Sequence, residues 1–164
     1  MLTLQRIAGI EIYGVITPVL NHARANATNE DHVMPFFNVH VPKDLFSLDQ
    51  RKAIAESLTH SLQDSFGLPP EDKFVVINEH AEGYMFLHPS YGNVERSAGA
   101  IIITVHIPAS RPMSQKRVLL QEIVQRLHDN VGIRPDDVFV TLIPLPSENF
   151  SFGRGLSAID KGDD

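Results

Sequence analysis

Apolar residues recur along this chain with two different periods, and the succession of periods is itself repeated. Phe36, Phe37, Val39 and Val41 form a short aromatic and β-branched run after Pro35, the pattern of a strand. Ile54, Leu58, Leu62 and Phe66 follow at helical spacing on one face. Ser47 stands before them as an N-cap, with Gln50 placed to complete a capping box. Gly67 suits the left-handed position that ends a helix, Pro69 blocks continuation, and Phe74 to Asn78 reads as a second strand. The same signals then return. Val39-His40-Val41-Pro42 recurs as Val105-His106-Ile107-Pro108, closing an apolar strand over Ala100 to Ile107. Ser114 stands as the second N-cap, and Leu120, Ile123, Val124, Leu127 and Val131 form a second helical stripe. Gly67-Leu68-Pro69-Pro70-Glu71-Asp72-Lys73-Phe74-Val75 recurs as Gly132-Ile133-Arg134-Pro135-Asp136-Asp137-Val138-Phe139-Val140, with a closing strand over Val138 to Ile143.

Two copies are too few for a solenoid. They predict an α+β fold made of a duplicated β-α-β unit: a four-stranded mixed sheet with both helices on one face, each unit right-handed with parallel strands. The opposite sheet face is expected to be apolar, because Ala100 to Ile107 is hydrophobic on both sides, and such a face implies oligomerisation. Between the copies, His80 to Gly99 forms a long excursion, with a short strand expected over Tyr84 to Leu87 and turn chemistry over His88 to Asn93. After the last strand, Asn149 to Gly155 is aromatic and glycine-bearing, too apolar to lie free in water; it packs on another subunit or folds over a pocket. The last residues, Lys161 to Asp164, are expected to fray.

Composition narrows the partners. A chain of 164 residues with net charge -6 and no basic run does not suit nucleic acid. The absence of cysteine excludes disulfides, thiolate nucleophiles and Cys-ligated metals. The eight histidines lack metal-ligand spacing, and no dinucleotide fingerprint is present, so neither a metal nor a cofactor is expected. No stretch is apolar enough to span a bilayer, and a cytoplasmic protein is expected. Ile7 to Leu20, preceded by Arg6, has the outline of a secretory signal, but Glu11 interrupts it and the basic lead is a single residue. Residues 1–33 are therefore read as an N-terminal extension or linker, and 34–164 as the domain.

The duplication is also an internal control: a residue present in one copy only is the better candidate for function. Arg111 is such a residue. It lies before the second helix, where a guanidinium can grip a carboxylate in bidentate fashion beside a helix N-terminus; the alternative is a solvated surface arginine. Asp72 could hold a proton or orient a water, but Asp137 is its repeat mate, so both can be turn aspartates. His80 follows the second strand, where loops carry functional groups, whereas His40 and His106 are repeat mates and read as structural. Arg96 either neutralises Glu95 or lines a pocket. Pro35 directly follows Met34. If the chain started at Met34, methionine removal would expose a secondary amine, whose pKa an apolar pocket would lower toward neutrality, fit for acid/base work. If translation starts at Met1, Pro35 is an ordinary amide in an edge strand.

Taken in order, Met34-Pro35-Phe36-Phe37, Phe66-Gly67-Leu68-Pro69-Pro70-Glu71-Asp72, Asn78-Glu79-His80, Tyr91-Gly92-Asn93-Val94-Glu95-Arg96-Ser97, Ser110-Arg111-Pro112-Met113-Ser114-Gln115-Lys116-Arg117 and Ser151-Phe152-Gly153-Arg154-Gly155 resemble the tautomerase superfamily, in its malonate semialdehyde decarboxylase-like branch. The resemblance runs from Pro35 to about Ile159. It implies a homotrimer, an amino-terminal proline as acid/base at Pro35, a carboxylate-binding arginine at Arg111, and a water-activating or hydrogen-bonding aspartate at Asp72. It also implies aromatic pocket walls from Phe150 and Phe152. The decarboxylase's second arginine falls on Ala109, which weakens the grip on a carboxylate. The expected function is keto–enol interconversion of a small keto acid, with Pro35, Asp72 and Arg111 catalytic and Arg111, His80, Phe150 and Phe152 binding the substrate. The alternatives are decarboxylation of a 3-oxo acid and a catalytically silent trimer that binds a small acid, its proline blocked by the extension.

Overall fold

Two β-α-β units lie side by side in one sheet. The computed structural model describes residues 35–160 apart from positions 70 and 72; the expected extension over 1–33 and the last four residues lie outside the described residues. Strands β1 (Phe36–Pro42) and β2 (Val75–His80) are parallel and joined by helix α1 (Leu48–Phe66); β3 (Ile101–Pro108) and β4 (Val138–Leu145) are parallel and joined by α2 (Met113–Val131). β1 and β3 pair antiparallel at the centre, giving the order β2-β1-β3-β4. The mixed four-stranded sheet expected from the duplication is the one observed. No helix among the described residues is long and apolar enough to cross a membrane.

One sheet face and the helices make the core. Phe37, Val39 and Val41 of β1 and Ile101, Ile103, Val105 and Ile107 of β3 are fully buried, in the strict alternation that a strand with one covered face imposes. Against them pack Ile54, Leu58, Leu62 and Phe66 of α1, the stripe expected from spacing. The α1 ends also follow expectation: Ser47 accepts from the Gln50 amide while the Gln50 side chain accepts from the Ser47 amide, and Gly67 closes the helix at φ 70°.

α2 departs from its expected reading at two points. Its N-cap is Pro112, without a side-chain cap hydrogen bond, and Ser114 already lies inside the helix. Its buried line is Leu119, Ile123 and Leu127; Leu120, Val124 and Val131 sit on the flank, half-buried. The apolar stripe is broad enough to be centred on either line, and only the position of α1 selects the first. The expected strand over Tyr84 to Leu87 does not form: that segment is irregular, and Tyr84 and Phe86 are exposed. No strand edge lies open to receive it except the outer edges of β2 and β4, and it pairs with neither.

The uncovered sheet face is mixed rather than apolar. Val76, Phe139 and Ile143 are exposed on it. Asn38, His40, Asn78, His80, Thr104, His106 and Thr141 share the same parity. Side chains alternate across a strand, so the continuous apolar run of β3 is relieved by polar positions on its neighbours.

Candidate active site

The site begins where β1 begins. Pro35 is buried, directly ahead of β1. Because β1 runs antiparallel to β3, with Phe36 opposite His106, the start of β1 lies beside the end of β3 and hence beside the Ala109–Pro112 connection. Because β1 runs parallel to β2, the start of β2 is at the same end, tied by the Phe37 amide donating to the Phe74 carbonyl at 2.9 Å. Pro35 and Arg111, far apart in the chain, are thus brought to one end of the sheet by topology alone.

Arg111 is positioned from two sides. Its amide donates to the Pro108 carbonyl at 3.3 Å, a tight turn off β3. Its guanidinium carbon lies 4.7 Å from the centroid of the Phe66 ring, at the end of α1. Such stacking contributes roughly 0.5–2 kcal/mol. Sequence spacing marks Phe66 as core; that it also carries the arginine depends on how α1 meets the β3–α2 turn.

Two further polar atoms near this end were not singled out from sequence. Gln115 Oε1, one helical turn beyond Arg111, and His106 Nδ1 are both buried and have no hydrogen-bond partner among the described residues. The His106 ring stacks on Phe36, centroids 5.7 Å apart. Its place four residues after Arg111, in the segment that carries the resemblance, is the signal that could have found the glutamine. The repeat argument, by which His106 matches His40, hid the histidine.

The C-terminal tail turns back over the same end. The Ala109 amide donates to the Leu145 carbonyl at 3.1 Å, joining the β3 exit to the β4 exit. A cavity of about 300 Å³ is lined there by Ala109, Ser110, Leu145, Ser147, Glu148 and Ile159 among others. Phe150 and Phe152 pack edge to face at 4.9 Å and brace the tail, which the Ala158 amide closes onto the Phe150 carbonyl at 2.7 Å. Neither ring lines that cavity, although the segments on both sides of the pair do.

The other expected residues fall elsewhere. Asp72 lies outside the described residues. Its repeat mate Asp137 is structural: buried, it accepts from the Ser97 amide at 2.6 Å and the Ser97 hydroxyl at 2.7 Å, tying the end of the excursion to the start of β4. Arg96 donates to the carbonyls of His88 at 3.2 Å and Tyr91 at 2.8 Å, clasping the turn within the excursion. His80 is not brought to this end. It pairs with Pro42 at the far end of β2, five residues beyond Val75, or roughly 17 Å along the strand at the usual rise. Parallel pairing of β1 and β2 forces that separation, because the end of β2 cannot lie beside the start of β1. The substrate-binding role expected of His80 is therefore not met at the Pro35 end of this subunit.

Chemically, this end offers a guanidinium on an aromatic shelf, a buried proline, and a buried amide oxygen and imidazole nitrogen without hydrogen-bond partners among the described residues. It suits a small carboxylic acid held by its carboxylate. In the 164-residue chain the Pro35 nitrogen is an amide nitrogen, without a basic lone pair.

Known proteins point the same way. A family model described as tautomerase enzyme matches residues 35–92, and a second with the same description matches residues 72–153. A probable tautomerase of Bacillus subtilis, YusQ, is 31% identical over 122 residues, covering 74% of this chain and 95% of its own. Among solved structures, malonate semialdehyde decarboxylase superposes with a TM-score of 0.68 at 26% identity, covering 76% of this chain and 95% of that one. A fused 4-OT solved as a symmetric trimer shares the fold, with a TM-score of 0.64 at 22% identity over 76% of this chain and 96% of that one. With the duplicated β-α-β sheet, and with an arginine and a buried proline at one end of it, these matches establish that the chain belongs to the tautomerase family.

Proposed function

We propose that this protein interconverts the keto and enol forms of a small keto acid, in a form whose chain begins at Pro35. The observation that carries the reading is the burial of Pro35 beside the turn that presents Arg111. A free proline amine there is a secondary amine in an apolar surround, which lowers its pKa toward neutrality and lets it take a proton from carbon and return it. Arg111 holds the carboxylate and so fixes which carbon faces the amine. Asp72, three residues before β2 in the sequence, is the group proposed to polarise water or the substrate carbonyl. Residues 1–33 are then an extension to be removed before activity, and 34–164 the functional domain. Both family matches fall within residues 35–153, which agrees with this division.

The assembly proposed is a homotrimer meeting through the uncovered sheet face, where Val76, Phe139 and Ile143 lie exposed. The symmetric trimer of the fused 4-OT supports that arrangement.

The likeness to malonate semialdehyde decarboxylase favours a second reading, decarboxylation of a 3-oxo acid. Ala109 counts against it, since a methyl side chain at that place supplies no second cation for the carboxylate that must leave.

The deciding experiment pairs intact mass with activity. Protein beginning at Pro35 is expected to ketonise the enol of a 2-keto acid, and protein beginning at Met1 to be inert. Equal activity in the two forms would remove Pro35 from the mechanism.

A further inference from the structure

His80, displaced from the Pro35 end, lines a different cavity. This cavity of about 420 Å³ lies where β1 and β2 finish, with Pro42, Lys43, His80, Glu82, Met85 and Leu87 among its walls. The duplication explains its existence. Pro42 pairs with His80 as Pro108 pairs with Leu145, so this end is the counterpart, in the first unit, of the Arg111 end in the second. In that correspondence Lys43 stands where the second unit has Ala109, and His80 where it has Leu145. The fold therefore demands neither a cation nor an imidazole here.

A hydrogen-bond chain across the open sheet face sets the state of His80. The Asn78 side-chain amide donates to the Val39 carbonyl at 3.3 Å and to Asn38 Oδ1 at 2.7 Å. A backbone carbonyl only accepts, so it fixes the orientation of Asn78, which fixes that of Asn38. Asn38 then presents its nitrogen to His40 Nε2 at 3.2 Å. A neutral His40 with Nε2 accepting carries its proton on Nδ1 and donates it to His80 Nε2 at 2.7 Å. Neutral His80 in turn carries its proton on Nδ1, which has no hydrogen-bond partner among the described residues. Burial, and after it the neighbouring His80, lower the His40 pKa, which favours the neutral form of His40.

We propose that this cavity is a second binding site, specific for a small monocarboxylate and separate from the Pro35–Arg111 end. The ordered N–H of His80 and the ammonium of Lys43 take the carboxylate. Pro42, Met85 and Leu87 face a short hydrocarbon tail. Glu82 places one negative charge on the wall, which disfavours a second carboxylate on the ligand. The proposal does not depend on the Arg111 reading.

The test is a backbone-amide NMR titration of the full chain with sodium propanoate, against sodium chloride at matched ionic strength. Saturable shifts are expected at Lys43, His80, Ala98 and Ala100. In Lys43→Met, an exposed position where folding is not at risk, the affinity at these residues is expected to fall by roughly tenfold or more, as for loss of a charge-assisted hydrogen bond. His80→Phe should weaken binding likewise, and His80→Gln, which keeps an N–H donor, should restore much of it. Arg111→Ala should leave these shifts in place. Shifts that grow linearly, match the chloride control, or persist unchanged in Lys43→Met would overturn the proposal. Saturation here without any response around Arg111 would support this site while removing the carboxylate role of Arg111.

Discussion

Asp137 and Arg111 show how a single side chain takes its role from what surrounds it. Asp137 is 3% exposed and holds both polar atoms of Ser97. Asp137→Asn keeps the shape but puts an amide where two donors converge, and should lower stability by about 2 kcal/mol, the usual loss for hydrogen bonds to a charged group, read as a shift in the urea midpoint. Arg111 is different: its guanidinium lies on the Phe66 ring, and its proposed role is to hold the substrate carboxylate. Arg111→Ala is expected to raise the Michaelis constant for a keto acid by about 10- to 100-fold with a small change in kcat, as for a group that binds ground and transition states alike. Unchanged steady-state constants would exclude it from the site. His40 carries a pH prediction. Its folded pKa lies below the ordinary value of 6.5, held there by burial first and by His80 second. As pH falls the unfolded chain takes the proton before the folded one does. The contribution of this group to stability is therefore complete above about pH 6.5 and is lost as pH drops through the depressed value. The groups around it are Asn38, Asn78 and His80, with Lys43 and Glu82 on the adjoining cavity wall. Thermal melts from about pH 8 to about pH 5 should fall less steeply in His40→Phe than in the parent protein. Parallel slopes would show that the imidazole is not the titrating element.

At the scale of elements, the two helices are held at their starts by different means although both seem capped by serine in the sequence. Ser47 makes a complete capping box, and Ser47→Ala should cost about 1 kcal/mol. Ser114 lies within the first turn of α2 and caps nothing. Ser114→Ala should change stability by less than about 0.5 kcal/mol. Equal losses in the two variants would restore Ser114 as a cap. The proline at the α2 N-cap sits in the short turn that ends β3 and brings Arg111 onto Phe66, where one residue separates Arg111 from the start of the helix. The buried face of α2 gives a second comparison. Leu119→Ala should cost about 2–5 kcal/mol, as for a fully buried leucine, and Leu120→Ala distinctly less.

For the whole molecule, the trimer proposed above rests on the open sheet face. Phe139 and Ile143 on β4 and Val76 on β2 lie exposed, with Phe139 paired to Ile102. Phe139→Glu should convert the proposed trimer to monomer in sedimentation analysis, because it places an unpaired charge in the patch that would be buried. A trimer that survives this change would put the contact elsewhere. The same face carries the Asn78–Asn38–His40–His80 chain, so the proposed trimer contact would border the second cavity.

The mixed four-stranded sheet, the parallel pairing within each unit, the covered face and the ends of α1 were all legible in the chain. Each depends on local period, on caps and turns, or on the handedness of β-α-β units, and the duplication stated each of them twice. The nearness of Pro35 to Arg111 came from the antiparallel pairing of β1 and β3 in the fold. What the chain could not express was anything settled between elements. Whether α2 buries Leu119 or Leu120 depends on where α1 lies against it. Whether His80 serves the proline depends on the direction of a strand pair, and parallel pairing sends it to the other end. Whether the open face is apolar depends on register, which sets Asn78 beside Asn38 and His40 beside His80 across strands that the sequence holds 40 residues apart. Periodicity is a property of one element and survives in one dimension. Register, direction and the meeting of side chains are relations between elements, and only the folded chain contains them.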